Sequence, residues 1–229
     1  MYVLNIANNY VAGKVCCTAC SYWTIYILAD SFKPIMRSAT AGEFIVAKLE
    51  HELPGYLCYH NADHTRDVHS AAKRLAEGEG INAAQTDLLL TAAWYHDSGF
   101  LITNEGHEEQ SCRLAAEHLT TAGYSTAEIE TICAIIRATR LPQSPTDHLG
   151  EILADADLDY LGRDDFFTIS DKLYNELQQT GKVNNRTEWD RMQIDFMQQH
   201  QYFTKTAINT RQAQKELNLA AIKARLHTS

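Results

Sequence analysis

From Ala41 to the C-terminus, apolar residues recur three and four positions apart, which is the period of an amphipathic helix. Phe44, Ile45, Ala47, Leu49 and Leu53 mark a first helix, stopped by Pro54-Gly55. A second runs from about His60 to Glu79 with Val68, Ala71, Ala72 and Leu75 on one side and Gly78 and Gly80 at its end. Asn82 or Thr86 caps a third, the apolar run Leu88 to Trp94 that leads into Tyr95-His96-Asp97, and Ser98-Gly99 breaks it. After the loop at Asn104-Glu105-Gly106, His107 opens a helix through Cys112, Leu114, Ala115 and Leu119, closed at Gly123. Ser125 caps the next, with Ile129, Ile132, Ile135 and Ile136, which runs into the Pro142–Pro145 loop. Further helices are expected at about 148–161, 164–180, 187–199 and 205–227.

Residues 1–40 follow another pattern. Strand-like alternation is confined to residues 1–30, and the run Val15 to Ala29 carries no charge. That run is shorter than the ~20 apolar residues a membrane span needs. Lys14 could flank a signal peptide, but no Ala-x-Ala-like cleavage site follows cleanly. Cys17-x-x-Cys20 has the spacing of half a zinc site, with no second ligand pair nearby. Residues 1–40 read as an extension that packs on the main domain or on a partner chain, inviting a homodimer, or as vector-derived sequence. The expectation is an all-α protein: an N-terminal extension, 1–40, and one helical domain, 41–229.

Bulk properties narrow the function. Apolar content of 45% and charged content of 21% are ordinary for a soluble globular protein, so no membrane role is expected. A net charge of −9 with no basic block argues against a nucleic-acid partner. An acidic protein can still handle a phosphate ester where a metal supplies positive charge. Six cysteines without a disulfide-like framework fit a reducing, cytoplasmic setting.

The chemistry gathers in three clusters. Tyr59-His60-Asn61-Ala62-Asp63-His64 opens the second helix, His96-Asp97 ends the third, and Asp155-Ala156-Asp157 lies within the 148–161 helix. Ionisable groups at the end of a buried helix are costly unless paired, and a divalent cation pairs them well. His64, His96, Asp97 and Asp155 form an expected N/O cage. Ile152, Leu153, Leu158 and Leu161 would bury Asp155, with Asp157 the alternative. His51, His69, His118, His148, His200 and His227 read as solvated or as satisfied in the core.

His64…His96-Asp97…Asp155, over about residues 41–165, resembles the signature of the HD superfamily of metal-dependent phosphohydrolases. Tyr59-His60-Asn61-x-x-His64-Thr65-x-Asp67-Val68 is similar to the start of class I cyclic-nucleotide phosphodiesterase catalytic domains. The resemblance implies an HD-type helical bundle in which His60 is the general acid on the leaving oxygen and His64 a metal ligand. Gly106-His107-Glu108-Glu109-x-Ser111 resembles an HD element that adds a second metal site, to which His107 or Glu108 would contribute. The histidine that follows His-Asp in those phosphodiesterases has no counterpart in Ser98-Gly99-Phe100-Leu101. Ala138-Thr139-Arg140 replaces the histidine that many two-metal members carry, which weakens a di-iron oxygenase reading.

The implied enzyme is a phosphodiesterase cleaving a cyclic nucleotide or related diester with metal-bound hydroxide, His60 and Asp97 acting at the reacting atoms. One or two ions are expected, and Mn, Mg, Zn, Fe and Co all suit such donors. Asp67 is expected to orient a ligand histidine, and Lys73, Arg137 and Arg140 are candidate phosphate contacts. Gln193, in Trp189-Asp190-x-x-Gln193-x-x-Phe196, suits a core helix better than a purine-reading glutamine. The alternatives are an HD nucleotide phosphatase, a di-iron oxygenase and a catalytically silent nucleotide-binding module.

Overall fold

Local signals at the helix ends set the frame on which the rest packs. In the computed structural model, which describes residues 37–228, Asn61 caps the second helix by accepting from the Asp63 and His64 amides at 2.9 and 3.2 Å. Asn82 and Gln85 form a reciprocal capping box at the start of the third, as Ser125 and Glu128 do at the fifth. Asp147 and Asn185 cap the sixth and eighth. The elements are α1 Arg37–Glu52, α2 Ala62–Glu79, α3 Ala83–Tyr95, α4 His107–Thr121, α5 Thr126–Arg137, α6 His148–Asp157, α7 Phe166–Gln179, α8 Arg186–Gln199 and α9 Lys205–Thr228. Short 3₁₀ turns cover Ser98–Leu101 and Asp159–Gly162.

Among the described residues there is no strand, so the fold is all-α. The first helix begins at Arg37, ahead of the Ala41 where its apolar period becomes legible. The expectations for residues 1–36, including Cys17-x-x-Cys20, lie outside the described residues. The expected 148–161 helix stops at Asp157, and a 3₁₀ turn follows. No helix among the described residues is long and apolar enough to cross a membrane.

The central element is α3, whose Leu89, Ala92, Ala93 and Tyr95 are fully buried. It is covered by α1, α2 and α5, with α6 against α2. Leu75, Ile132, Ile135, Ile136, Ile152 and Leu153 close this core without exposed surface. A second cluster, built on Tyr160, Phe166, Met197 and Ile222, joins the 159–162 turn to α7, α8 and α9. The α9 backbone crosses Gly162 so closely that a Cβ there would lie 2.3 Å from the Arg211 carbonyl oxygen. The three sequence clusters meet between the two cores.

Candidate metal centre

Each candidate side chain is placed by a helix end. Because Asn61 is the cap, His64 falls in the first turn of α2 and His60 lies just outside the helix. The two rings are still neighbours, with centroids 6.0 Å apart. At the other end of α3, His96 is the C-terminal cap and Asp97 leaves helical geometry at φ −105°. Helix ends leave carbonyls without partners. Here the Ser111 hydroxyl donates to the His96 carbonyl at 2.7 Å and accepts from the Gly99 amide at 2.8 Å. This ties α4 to the turn that follows Asp97. The approach is close: a Cβ on Gly99 would sit 1.9 Å from the His107 carbonyl oxygen. Position 99 therefore needs glycine for its lack of a side chain.

The third cluster resolves in favour of Asp157. Two residues advance a helix by roughly 200°, so Asp155 and Asp157 look in opposite directions. Asp155 is fully buried and accepts from the Phe203 amide at 2.9 Å and from the Thr204 amide and hydroxyl at 2.7 Å each. It fixes the approach to α9 and is not in the cage. Burial pushes its carboxyl up to about 6, against the pull of those donors. Asp157, the last residue of α6, faces the histidines instead.

His64, His96 and Asp157 each offer a ligand atom, and all three atoms lie within 4.8 Å of one another. Asp157 Oδ1 is 3.2 Å from His64 Nε2 and 3.4 Å from His96 Nε2. Asp97 Oδ2 stands beside them, 3.4 and 3.2 Å from the same two nitrogens. Asp97 Oδ1 lies 3.3 Å from His107 Nε2, and His107 Nε2 is 3.8 Å from Glu108 Oε1.

The donor chemistry fits a divalent cation. His96 Nδ1 lies 2.9 Å from the Ala93 carbonyl, which only accepts, so Nδ1 carries the hydrogen and neutral Nε2 presents a lone pair. That Nε2 is buried, makes no hydrogen bond and faces two carboxylates. Acceptors turned on one another are stable only with a proton or a cation between them. The metal-free protein shows the same tension in its protonation. Burial pulls His64 down, but Asp157 and Asp97 outweigh it and lift the imidazole to about 9. Burial also opposes charging of His96, and Asp97 with Asp157 carries it well above the usual imidazole range. Asp157 is held at about 2 by His64 and His96 in spite of burial.

His60 faces the same space from outside the cluster. Its Nδ1 bonds Glu176 Oε1, while Glu176 Oε2 accepts from the Tyr59 and His60 amides at 2.9 and 3.0 Å. Glu176 is only 3% exposed, and His60 holds it below the usual carboxylate range against burial. The His60 ring also stacks on Phe100, centroids 4.3 Å apart, and Phe100 stacks on His107 at 4.1 Å. With Nδ1 bonded to a carboxylate, His60 keeps Nε2 for the cavity. That cavity has a volume of about 400 Å³, and Asp97, Asp157, His107 and Glu108 line it along with His60. Its far wall is apolar, from Leu173, Leu177 and Trp189 to Phe196 and Met197.

Gln193 is in that wall and not wholly in the core. Its Oε1 accepts from Ser170, and its buried Nε2 has no partner. The remaining candidates turn elsewhere. Asp67 makes no bond to a histidine: both its oxygens accept from Arg163 at 2.8 Å. Lys73 lines a separate cavity among α1, α2 and α3. Arg137 is bidentate on Glu109, and Arg140 bonds Glu109 and lies 3.6 Å from Glu108. None of the three cations lines the His60 cavity. Glu176 was missed from sequence, although Phe166, Ile169 and Leu173 put it on the apolar side of α7.

An all-helical protein that brings a histidine, a His-Asp pair and an aspartate to one buried point is defined as a class by that convergence. A sequence-family model for the HD domain matches residues 61–159. The fold is similar to that of a predicted HD superfamily hydrolase from an uncultured Thermotogales bacterium, with a TM-score of 0.55, 20% identity, and 81% of this chain and 91% of that one covered. It is also similar to a protein from Lactobacillus plantarum, with a TM-score of 0.59, 19% identity, and coverage of 85% and 99%. At such identities the likeness is one of fold. No curated protein matches the chain.

Proposed function

We propose that the protein is a metal-dependent phosphohydrolase acting on a phosphate diester, a cyclic nucleotide or a compound of similar shape. One observation carries the reading: His60, fixed by Glu176, shares a cavity with Asp97 and Asp157 of the cation cluster. A cage alone suits a structural ion, whereas a cage with an oriented proton donor beside it suits ester cleavage. The coarser statement, a metal-dependent hydrolase, has the further support of the HD-domain match.

His64, His96, Asp97 and Asp157 would hold the ion, and Asp97 Oδ1 with His107 and Glu108 would hold a second. When bound, a divalent cation supplies Lewis-acid polarisation of the phosphoryl group and makes water more acidic. The chain's own residues do the rest. Carboxylate acceptance by Glu176 keeps a hydrogen on His60 Nδ1, so Nε2 is the nitrogen from which the imidazolium form would pass its proton to the leaving oxygen. Stacking on Phe100 holds the ring plane for that transfer. General-acid help of this kind contributes roughly 10²–10⁴-fold. The apolar wall excludes water from the alcohol portion, and the free amide hydrogens of Gln193 offer a bond to an acceptor on it, as a nucleobase has.

The test is hydrolysis of bis-(4-nitrophenyl) phosphate before and after chelation. Chelation should abolish turnover and Mn²⁺ or Mg²⁺ restore it. Undiminished turnover by the stripped protein would refute the proposal.

A further inference from the structure

Cys112 on α4 and Cys133 on α5 face each other across the gap between their helices. The Cys112 Sγ lies 3.5 Å from the Cys133 carbonyl oxygen, and the Cys133 Sγ lies 3.6 Å from the Cys112 carbonyl oxygen. This reciprocal reach puts the two thiols side by side, within hydrogen-bonding distance of each other. They are 5% and 7% exposed, and both line a surface cleft of about 450 Å³ beside Glu109, Arg113 and Arg137. The pair is chemically uneven. The bond from Cys112 and the Arg137 guanidinium lower the Cys133 thiol against burial and the Glu109 charge, while the same bond and burial raise Cys112. Cys133 is therefore the thiol that ionises first, and the thiolate is the form that attacks a disulfide.

We infer that Cys112 and Cys133 form a redox site that reacts with a low-molecular-weight disulfide and closes into a protein disulfide joining α4 to α5. The Cys133 thiolate attacks one sulfur of the small disulfide. That S–S bond breaks, and the departing thiol takes up the proton that Cys133 gave away. Cys112 then attacks the Cys133 sulfur of the mixed disulfide, and the second small thiol leaves with the Cys112 proton. Two protein thiols are oxidised, and one small disulfide is reduced to two thiols. The bridge joins residues 21 positions apart. It stands next to Ser111, which ties α4 to the His96 carbonyl and the Gly99 amide, and it braces the helix that carries His107 and Glu108.

The probe is oxidised glutathione, in millimolar excess over the reduced full chain. Trypsin cuts after Arg74, Arg113 and Arg137, so the two cysteines fall in separate peptides, 75–113 and 114–137, and a non-reducing map reads their pairing. These peptides should appear joined. Tm should rise by about 5 °C or more and return to its starting value with dithiothreitol. In Cys112→Ser, which lacks the second thiol, glutathione should instead remain on Cys133, and Tm should not rise. Two thiols still reduced after exposure would overturn the inference. So would glutathione left on Cys133 of the parent, a bond from either residue to another cysteine, or joined peptides with an unmoved Tm.

Discussion

Asp155 and Asp157 share one helix and have opposite surroundings. Asp155 receives three hydrogen bonds from Phe203 and Thr204, and Asp157 lies within 3.4 Å of two histidine nitrogens. Removing either charge should have separable effects. Asp157→Asn should lower bound metal and turnover by about 10²-fold or more, and its cost to the metal-free protein should be confined to the pH-dependent share of stability that His64 and His96 draw from this carboxylate. Asp155→Asn should cost roughly 1–3 kcal/mol of stability through the weakened bonds to α9, while the folded fraction keeps its metal. Metal content by mass spectrometry and Tm by calorimetry decide it. The reverse pattern would mean that the two aspartates have exchanged roles.

His60 and Glu176 yield a second expectation. Glu176→Gln keeps the shape and the bonds from the Tyr59 and His60 amides but weakens the hold on His60 Nδ1. Turnover on esters with poor leaving groups should fall about 10- to 100-fold, with much less loss on 4-nitrophenyl esters, which leave without a proton. Metal content should not change. An equal loss on all leaving groups would make Glu176 merely structural.

How much of this was legible in the sequence follows from how far each signal reaches. Helix ends were readable because caps act within four residues: Asn82, Ser125 and the apolar periods placed most elements. His64, His96 and Asp97 were readable because histidine or aspartate beside buried apolar runs demands a partner. The choice between Asp155 and Asp157 was not, because the local run Leu153-Ala154-Asp155 favours Asp155 and only the approach to α9 shows that its carboxylate is used up. Glu176, more than a hundred residues from His60, is brought to it by tertiary packing of α7. The phosphate-contact expectations for Lys73, Arg137 and Arg140 rested on charge alone, and charge does not say which face a side chain occupies.

Gly99 gives a third expectation, about backbone. A Cβ at this position meets the His107 carbonyl at 1.9 Å, and a carbonyl on the first turn of a helix cannot swing aside as a side chain can. Gly99→Ala should therefore shift the start of α4, at a cost of roughly 1–3 kcal/mol. His107 would move away from Asp97. A Tm equal to that of the parent, with unchanged metal binding, would show that the turn and α4 are not so tightly joined.

The cage also sets a pH dependence whose sign can be worked out. In the metal-free protein His64 is raised to about 9 from an ordinary value of 6.5, and His96 moves in the same direction. A histidine raised on folding contributes stability that is complete below the unfolded value and lost as pH rises through the folded one. The stripped protein should therefore lose Tm between about pH 6.5 and 9, on the scale of 2–4 °C per kcal/mol for a chain of this size. Asp97 and Asp157 are lowered by the same contacts, so their share persists until the pH falls well below the ordinary carboxylate range. A bound divalent ion takes the place of the imidazole protons, so adding Mn²⁺ should remove most of the alkaline loss, and its binding should weaken as the pH drops. His64→Gln should flatten the alkaline limb in the stripped protein. Thermal melts across this range, with chelator and with Mn²⁺, provide the check: parallel curves would mean that the two imidazoles do not face the carboxylates in solution.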